Sequence, residues 1–183
     1  MKFEIIRSKR KTMAAEIKGN KLIIRAPLFA TNEDINRFML QHKKWLDTHL
    51  KKAQERAKTL DSVHKLTQEE IASLANRALD VIPKRVAHFA PLVGVTYGRI
   101  TIRRQKSRWG SCSSKGNLNF NCLLMLTPPE VIDSVVVHEL CHRKEMNHSD
   151  KFYAEVLRVF PTYWEQDKWL KENGDILMAM ISE

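Results

Sequence analysis

The sequence predicts an α+β fold, and two kinds of pattern carry that expectation. Apolar and polar residues alternate near the amino terminus and again over residues 93–126, as half-buried strands require. Between and after these blocks, apolar positions recur every three or four residues behind helix-start signals. At 183 residues the chain suits one domain with a real core.

Residues 3–7 and 21–26 read as the strands of an amino-terminal β-hairpin, with Lys18-Gly19-Asn20-Lys21 as the turn between them. The cluster Arg7-Ser8-Lys9-Arg10-Lys11 lies on or near the first strand, where such charges discourage pairing with other chains. Thr31-Asn32-Glu33-Asp34 opens a helix expected to run to about Lys58, with Ile35, Phe38, Met39, His42, Trp45, Leu46 and His49 on its inner stripe. The seven-residue spacing of His42 and His49 suits surface histidines better than a second metal site. The polar residues 57–65 form the best candidate boundary, so the expectation is a single domain with a hairpin-and-helix lobe over 1–60 and a core over 66–175.

Thr67-Gln68-Glu69-Glu70 is a capping box, followed by Ile71, Leu74, Ala75, Ala78, Leu79 and Ile82. Pro83 should kink or restart that helix, which continues to about Ala90. Val95, Tyr97, Ile100 and Ile102 suggest one strand; Leu118, Phe120 and residues 122–126 suggest others, with Lys115-Gly116-Asn117 as a turn. This small mixed or antiparallel sheet leads into Thr127-Pro128-Pro129-Glu130, where Thr127 would be the N-cap, proline the first helical residue and Glu130 the far side of a capping box. Phe152, Val156, Val159 and Phe160 mark a further helix ending before Pro161. Tyr163, Trp164, Trp169 and Leu170 mark a last one stopping at Asn173-Gly174.

The chemistry concentrates in Val137-His138-Glu139-Leu140-Cys141-His142, an H-E-x-x-H sequence on a helix that Val131, Ile132, Val135, Val136 and Val137 make apolar on most sides. Positions i and i+4 lie one turn apart on one face, so His138 and His142 can grip one metal ion. Zinc suits neutral imidazoles, and a catalytic site needs three protein ligands and one open position. His148 is the first candidate for the third ligand and Glu155 the fallback. Asn147 tolerates the left-handed conformation that would end the helix and swing His148 back, and Ser149-Asp150 would start the next helix. Cys112 is a possible further ligand, although a small buried residue in a turn is the commoner case; Cys141 reads as packing.

The combination of Arg108-Trp109-Gly110-Ser111-Cys112-Ser113, Gly116-Asn117-Leu118-Asn119-Phe120-Asn121, the Pro-Pro-Glu helix with its H-E-x-x-H, and Asn147-His148-Ser149 resembles the YgjP-type zinc metallopeptidases, relatives of the SprT-like and WLM metalloproteases. The resemblance covers most of the chain, to about Gly174. It implies a compact zincin-like fold, one zinc ion per chain held by His138, His142 and His148, and Glu139 as the catalytic residue activating a zinc-bound water against a peptide bond. In zincins generally a substrate lies extended along an edge strand. By resemblance the stretch 117–121 is the candidate edge, with Asn119, Phe120, Asn121 and Trp109 as substrate-binding candidates. For Trp109 core is the commoner reading. Tyr153 or Tyr163 could stabilise an oxyanion. The ligand spacing equals that of metzincins, but the glycine those carry three residues after the second histidine is Glu145 here.

Charge is uneven. Residues 1–126 carry 25 Lys and Arg against 10 Asp and Glu, a net of +15, whereas residues 127–183 carry 6 against 11, a net of −5. Arg103, Arg104, Lys106 and Arg108 form a basic patch near the expected cleft, where they could select acidic substrates or nucleic-acid-bound ones. Such asymmetry admits a nucleic-acid partner beside the peptide or protein substrate, hence an alternative function: a protease of DNA-bound proteins, or a non-catalytic zinc-binding module. The amino terminus lacks the apolar run of a signal peptide, no segment reaches membrane-spanning length, and three cysteines suit a reducing compartment, so the expected location is cytoplasmic.

Overall fold

The computed structural model describes residues 3–18 and 21–181. Its contacts divide the chain into two units, Met1–Ser62 and Val63–Glu183.

In the first unit, strands β1 (Phe3–Ser8), β2 (Ala14–Lys18) and β3 (Lys21–Pro27) form a sheet in the order β1-β3-β2. The hairpin is β2–β3, antiparallel with Ala15 opposite Ile24 and Ile17 opposite Leu22, while β1 runs parallel to β3. The expected pairing of 3–7 with 21–26 across a turn is thereby corrected. Two alanines and a basic lead-in hide β2 from a search for β-branched alternation. The proposed turn residues Gly19 and Asn20 lie outside the described residues. The expected single helix is two, α1 (Asn32–Gln41) and α2 (Lys43–Asp61), parted at His42. No proline or glycine announces this break. Thr31 and Asp34 cap α1 reciprocally, and Ile35, Leu46 and Leu50 seal the sheet face that Leu22, Ile24 and Ala26 present. His42 and His49 are exposed, His49 stacked on Trp45.

The second unit is built on α3 (Gln68–Val93), which starts at the Thr67–Glu70 capping box and continues through Pro83 and Pro91 to Gly94, a left-handed residue at φ 78°. Its stripe from Ile71 through Ala78, Ile82 and Val86 to Val93 packs against α4 (Pro129–Cys141) and a short 3-10 helix, Cys122–Leu126. The strand expected over 122–126 is therefore helical: the Asn121 side chain accepts from the Leu123 N–H, and four of the five residues are buried in the core. Strands β4 (Ile100–Arg103), β5 (Gly110–Cys112) and β6 (Leu118–Asn121) form the second sheet, in the order β4-β6-β5. Gly116, at φ 83°, turns the β5–β6 connection, and a Cβ there would meet the Arg143 guanidinium at 2.8 Å. Thr127 does not cap α4; its hydroxyl donates back to the Leu124 carbonyl at 2.8 Å, and Pro128 occupies the cap position.

Helices α5 (Asp150–Val159) and α6 (Tyr163–Ala179) close the unit. Ser149 caps α5. Helix α6 passes through Asn173 and Gly174 rather than stopping there, and Gly174 serves packing instead: it is buried against Trp109, where a Cβ would lie 3.2 Å from the indole. Among the described residues no helix is long and apolar enough to cross a membrane.

Glu155 joins three segments. It accepts from Lys144, in the turns after α4, and from Arg158, whose guanidinium also donates to the Leu92 carbonyl at the end of α3. The bond from Arg158, aided by Lys144 and opposed by burial, holds the Glu155 carboxyl down at about 2 against an ordinary 4.5. A depressed folded pKa contributes stability above the unfolded value and loses it as pH falls toward the folded one. Glu155→Gln should cost roughly 1–3 kcal/mol at neutral pH. In chemical denaturation its deficit relative to the parent chain should shrink as pH drops from 4.5 toward about 2. A deficit constant with pH would contradict this account.

Candidate metal centre and active site

Helix α4 is apolar nearly all round, with Val131, Val136, Val137 and Leu140 fully buried. Such a helix lies in a core, and it carries His138, Glu139 and His142 into that core with it. Glu139 is 5% exposed and His142 8%. Buried polar groups need partners, and the partners found here define the site.

His142 Nδ1 lies 3.0 Å from the Glu145 carbonyl oxygen. A carbonyl can only accept, so Nδ1 carries the proton and Nε2 is left with a bare lone pair. His138 Nδ1 lies 2.9 Å from the Tyr163 hydroxyl, contributed by α6. The inner nitrogens converge: His138 Nε2 is 3.2 Å from His142 Nε2 and 3.0 Å from His148 Nε2, and all three ligand atoms lie within 4.8 Å of one another. Nitrogens bound to one tetrahedral zinc at about 2.0–2.1 Å stand roughly 3.3–3.4 Å apart. The donor set fits zinc, and the two distances from His138 come near that spacing.

His148 arrives without the expected left-handed residue, since no described non-glycine residue has positive φ. The chain instead leaves α4 through tight turns, with Arg143 and Lys144 amides donating to the Leu140 and Cys141 carbonyls at 2.9 Å. Phe152, fully buried on α5, is the floor beneath all three imidazoles, its centroid 4.9, 4.5 and 5.0 Å from those of His138, His142 and His148. Sequence reasoning placed Phe152 on an apolar helix face and Tyr163 as an oxyanion candidate; neither was recognised as support for the imidazoles. The spacing of Phe152 four residues beyond His148 is the one sequence signal that could have drawn attention to it.

Burial, reinforced by the two neighbouring histidines, pushes His138 down to about 3, which keeps it a neutral ligand-ready imidazole. Burial pushes Glu139 up to about 8 against the opposing pull of Arg108. A dication among the imidazoles reverses that balance and favours the carboxylate. Strand β5 crosses directly over Glu139: a Cβ on Gly110 would sit 2.6 Å from Oε1 and 2.9 Å from Cδ.

The remaining sequence candidates fall elsewhere. Glu155 is held by Lys144 and Arg158 and does not join the imidazole group. Cys112 also stays outside it, its thiol donating to the Ser113 carbonyl and pushed up by burial and by Glu139. Asn119, Phe120 and Asn121 lie on β6, the middle strand, with both edges already paired. Phe120 and Asn121 have no exposed surface. The Asn121 amide donates to the Gln105 and Arg108 carbonyls at 2.7 and 3.0 Å, so it fixes the loop that delivers β5. The open sheet edge beside Glu139 is that of β5. Trp109 lies on the core and also borders the cavity next to His138 and Glu139.

Residues 61–173 match the YgjP-like metallopeptidase domain family. No curated protein matches the chain. The chain is similar over half of its length to solved structures that include two metallopeptidase zymogens. One is the metallopeptidase zymogen of Pyrococcus abyssi abylysin, at 24% identity and TM-score 0.46, with 50% of this chain and 94% of that one covered. The other is the metallopeptidase zymogen of Methanocaldococcus jannaschii jannalysin, at 22% identity and TM-score 0.45, covering 50% and 95%.

Removing the hydroxyl that faces His138 Nδ1 tests the support of the imidazole. Tyr163→Phe should weaken zinc binding about 10–100-fold in competition with a chromophoric chelator. Unchanged affinity would show that the tyrosine does not orient the ring.

Proposed function

The chain belongs to the YgjP-like metallopeptidase family, and from that premise we propose that it cleaves peptide bonds with one zinc ion held by His138, His142 and His148 and with Glu139 as the proton carrier. One observation carries the reading: three imidazole nitrogens converge beside a buried carboxylate that has a cavity in front of it. A structural metal site has no use for that carboxylate.

Zinc bound there supplies Lewis-acid polarisation of the scissile carbonyl and brings the pKa of a water molecule toward neutrality. The chain's own groups do the rest. Tyr163 and the Glu145 carbonyl accept the outer N–H groups of His138 and His142, which aims both lone pairs inward. Glu139 takes the proton of the attacking water on its carboxylate and hands it to the leaving amine. Its enclosure, 5% exposed, keeps bulk water from competing for that proton. An extended substrate pairs its main chain with the free edge of Gly110–Cys112, and Gly110 brings that edge to within contact of Glu139.

Glu139→Gln should retain one zinc per chain by metal analysis while cleavage of a casein or peptide substrate falls by about 10²–10⁴-fold. Full cleavage by the zinc-loaded variant would reject Glu139 as proton carrier. Gly110→Ala forces a methyl group into the carboxylate. It should lower cleavage at least tenfold while zinc affinity stays within a few-fold, and undiminished cleavage would mean that β5 does not hold the substrate where supposed.

A further inference from the structure

Next to Glu139 and His138 opens a cavity of about 230 Å³, bordered by Trp109 and Gly110 on one side and by Val135, Tyr163, Asp167 and Leu170 on the other. Clefts for drug-sized ligands run from about 300 to 1,000 Å³. This one has room for a single side chain rather than for a length of ligand. Its position against the proton-carrying carboxylate makes it the place where a side chain flanking the scissile bond must go.

The chemistry of the walls restricts which side chain. Trp109, Val135 and Leu170 offer apolar contact, and the Trp109 ring is held in place by its fit over Gly174. The charged side chain that α6 gives to the lining is Asp167, 24% exposed. Among the described residues no lysine or arginine borders the cavity. Lys171, one helical turn on and 72% exposed, reaches one Asp167 oxygen, Oδ2, at 2.5 Å. A carboxylate accepts several donors, and a mobile surface lysine is an easily displaced partner. An apolar stem with a cationic tip matches this arrangement: the methylenes lie along Trp109 and Leu170 while the head meets the carboxylate.

We propose that this cavity is a specificity pocket for a lysine or arginine side chain adjacent to the scissile bond, with Asp167 as the residue that recognises its charge and Lys171 as the group it displaces. The assignment rests on the peptidase reading above.

The test uses the zinc-loaded full chain and a set of otherwise identical peptides carrying Lys, Leu or Glu at each position flanking the cleaved bond. The Lys peptide should exceed the Leu peptide at least tenfold in kcat/KM at one position, chiefly through KM. Asp167→Asn should bring that ratio close to one, Asp167→Lys should turn it toward the Glu peptide, and Lys171→Ala should raise it. A pair that merely braces the helix would make Asp167→Asn and Lys171→Ala shift the ratio alike, or not at all. Anisotropy titrations of the same labelled peptides against zinc-loaded Glu139→Gln separate the two claims. If the Lys peptide binds tenfold tighter than the Leu peptide but the parent chain cleaves neither, the peptidase reading fails and the pocket stands. Equal affinities, or a ratio untouched by Asp167→Asn, overturn the pocket assignment.

Discussion

Burying α4 on nearly every side is the constraint from which the centre follows. Val131, Val136, Val137 and Leu140 hold the helix inside the core, and His138, Glu139 and His142 are dragged out of water with them. Each polar atom must then be answered locally. The outer nitrogens are answered by a tyrosine and a backbone carbonyl, and the inner ones by one another at distances that suit a shared cation. The desolvation that would be a defect elsewhere keeps His138 neutral, and the Glu145 carbonyl fixes the tautomer of His142.

The neighbouring elements are arranged around that fact. Strand β5 can pass over Glu139 only because residue 110 has no side chain, and α6 can seat Trp109 only because residue 174 has none. Both glycines act through space rather than through conformational freedom, since neither has positive φ. Asn121, whose amide binds two carbonyls of the preceding loop, sets the path of the chain into β5. The small sheet thus serves less as a scaffold in its own right than as a means of laying one short open edge across the mouth of the site.

Local patterns made much of this legible in the sequence. The capping box at Thr67 and the helix-start signal at Thr31 give two helix starts correctly because the interacting residues are three apart, whereas the same pattern at Thr127 does not cap α4. The meeting of His138 and His142 follows from helical spacing, and His148 is close enough along the chain to be guessed. Longer-range contacts were not legible. Tyr163 stands 25 residues from His138, and nothing in the intervening sequence encodes their contact. Alternation marks 118–121 as a strand but cannot tell a middle strand from an edge. The apolar run 122–126 is ambiguous between strand and helix, and only the Asn121 side chain decides it. Asn147 misled because a residue that tolerates left-handed geometry does not thereby require it.

The Glu155 node has a consequence for the third imidazole. Lys144 and Glu155, eleven positions apart, meet in an ion pair, and His148 sits on the segment between them. The pair acts as a clasp that closes the segment into a loop before any ion arrives. The entropy of closing so short a loop, which grows only with the logarithm of its length, is thus met by folding rather than by metal uptake. A side chain that is exposed, and borne on a connection rather than on a helix, is preorganised all the same.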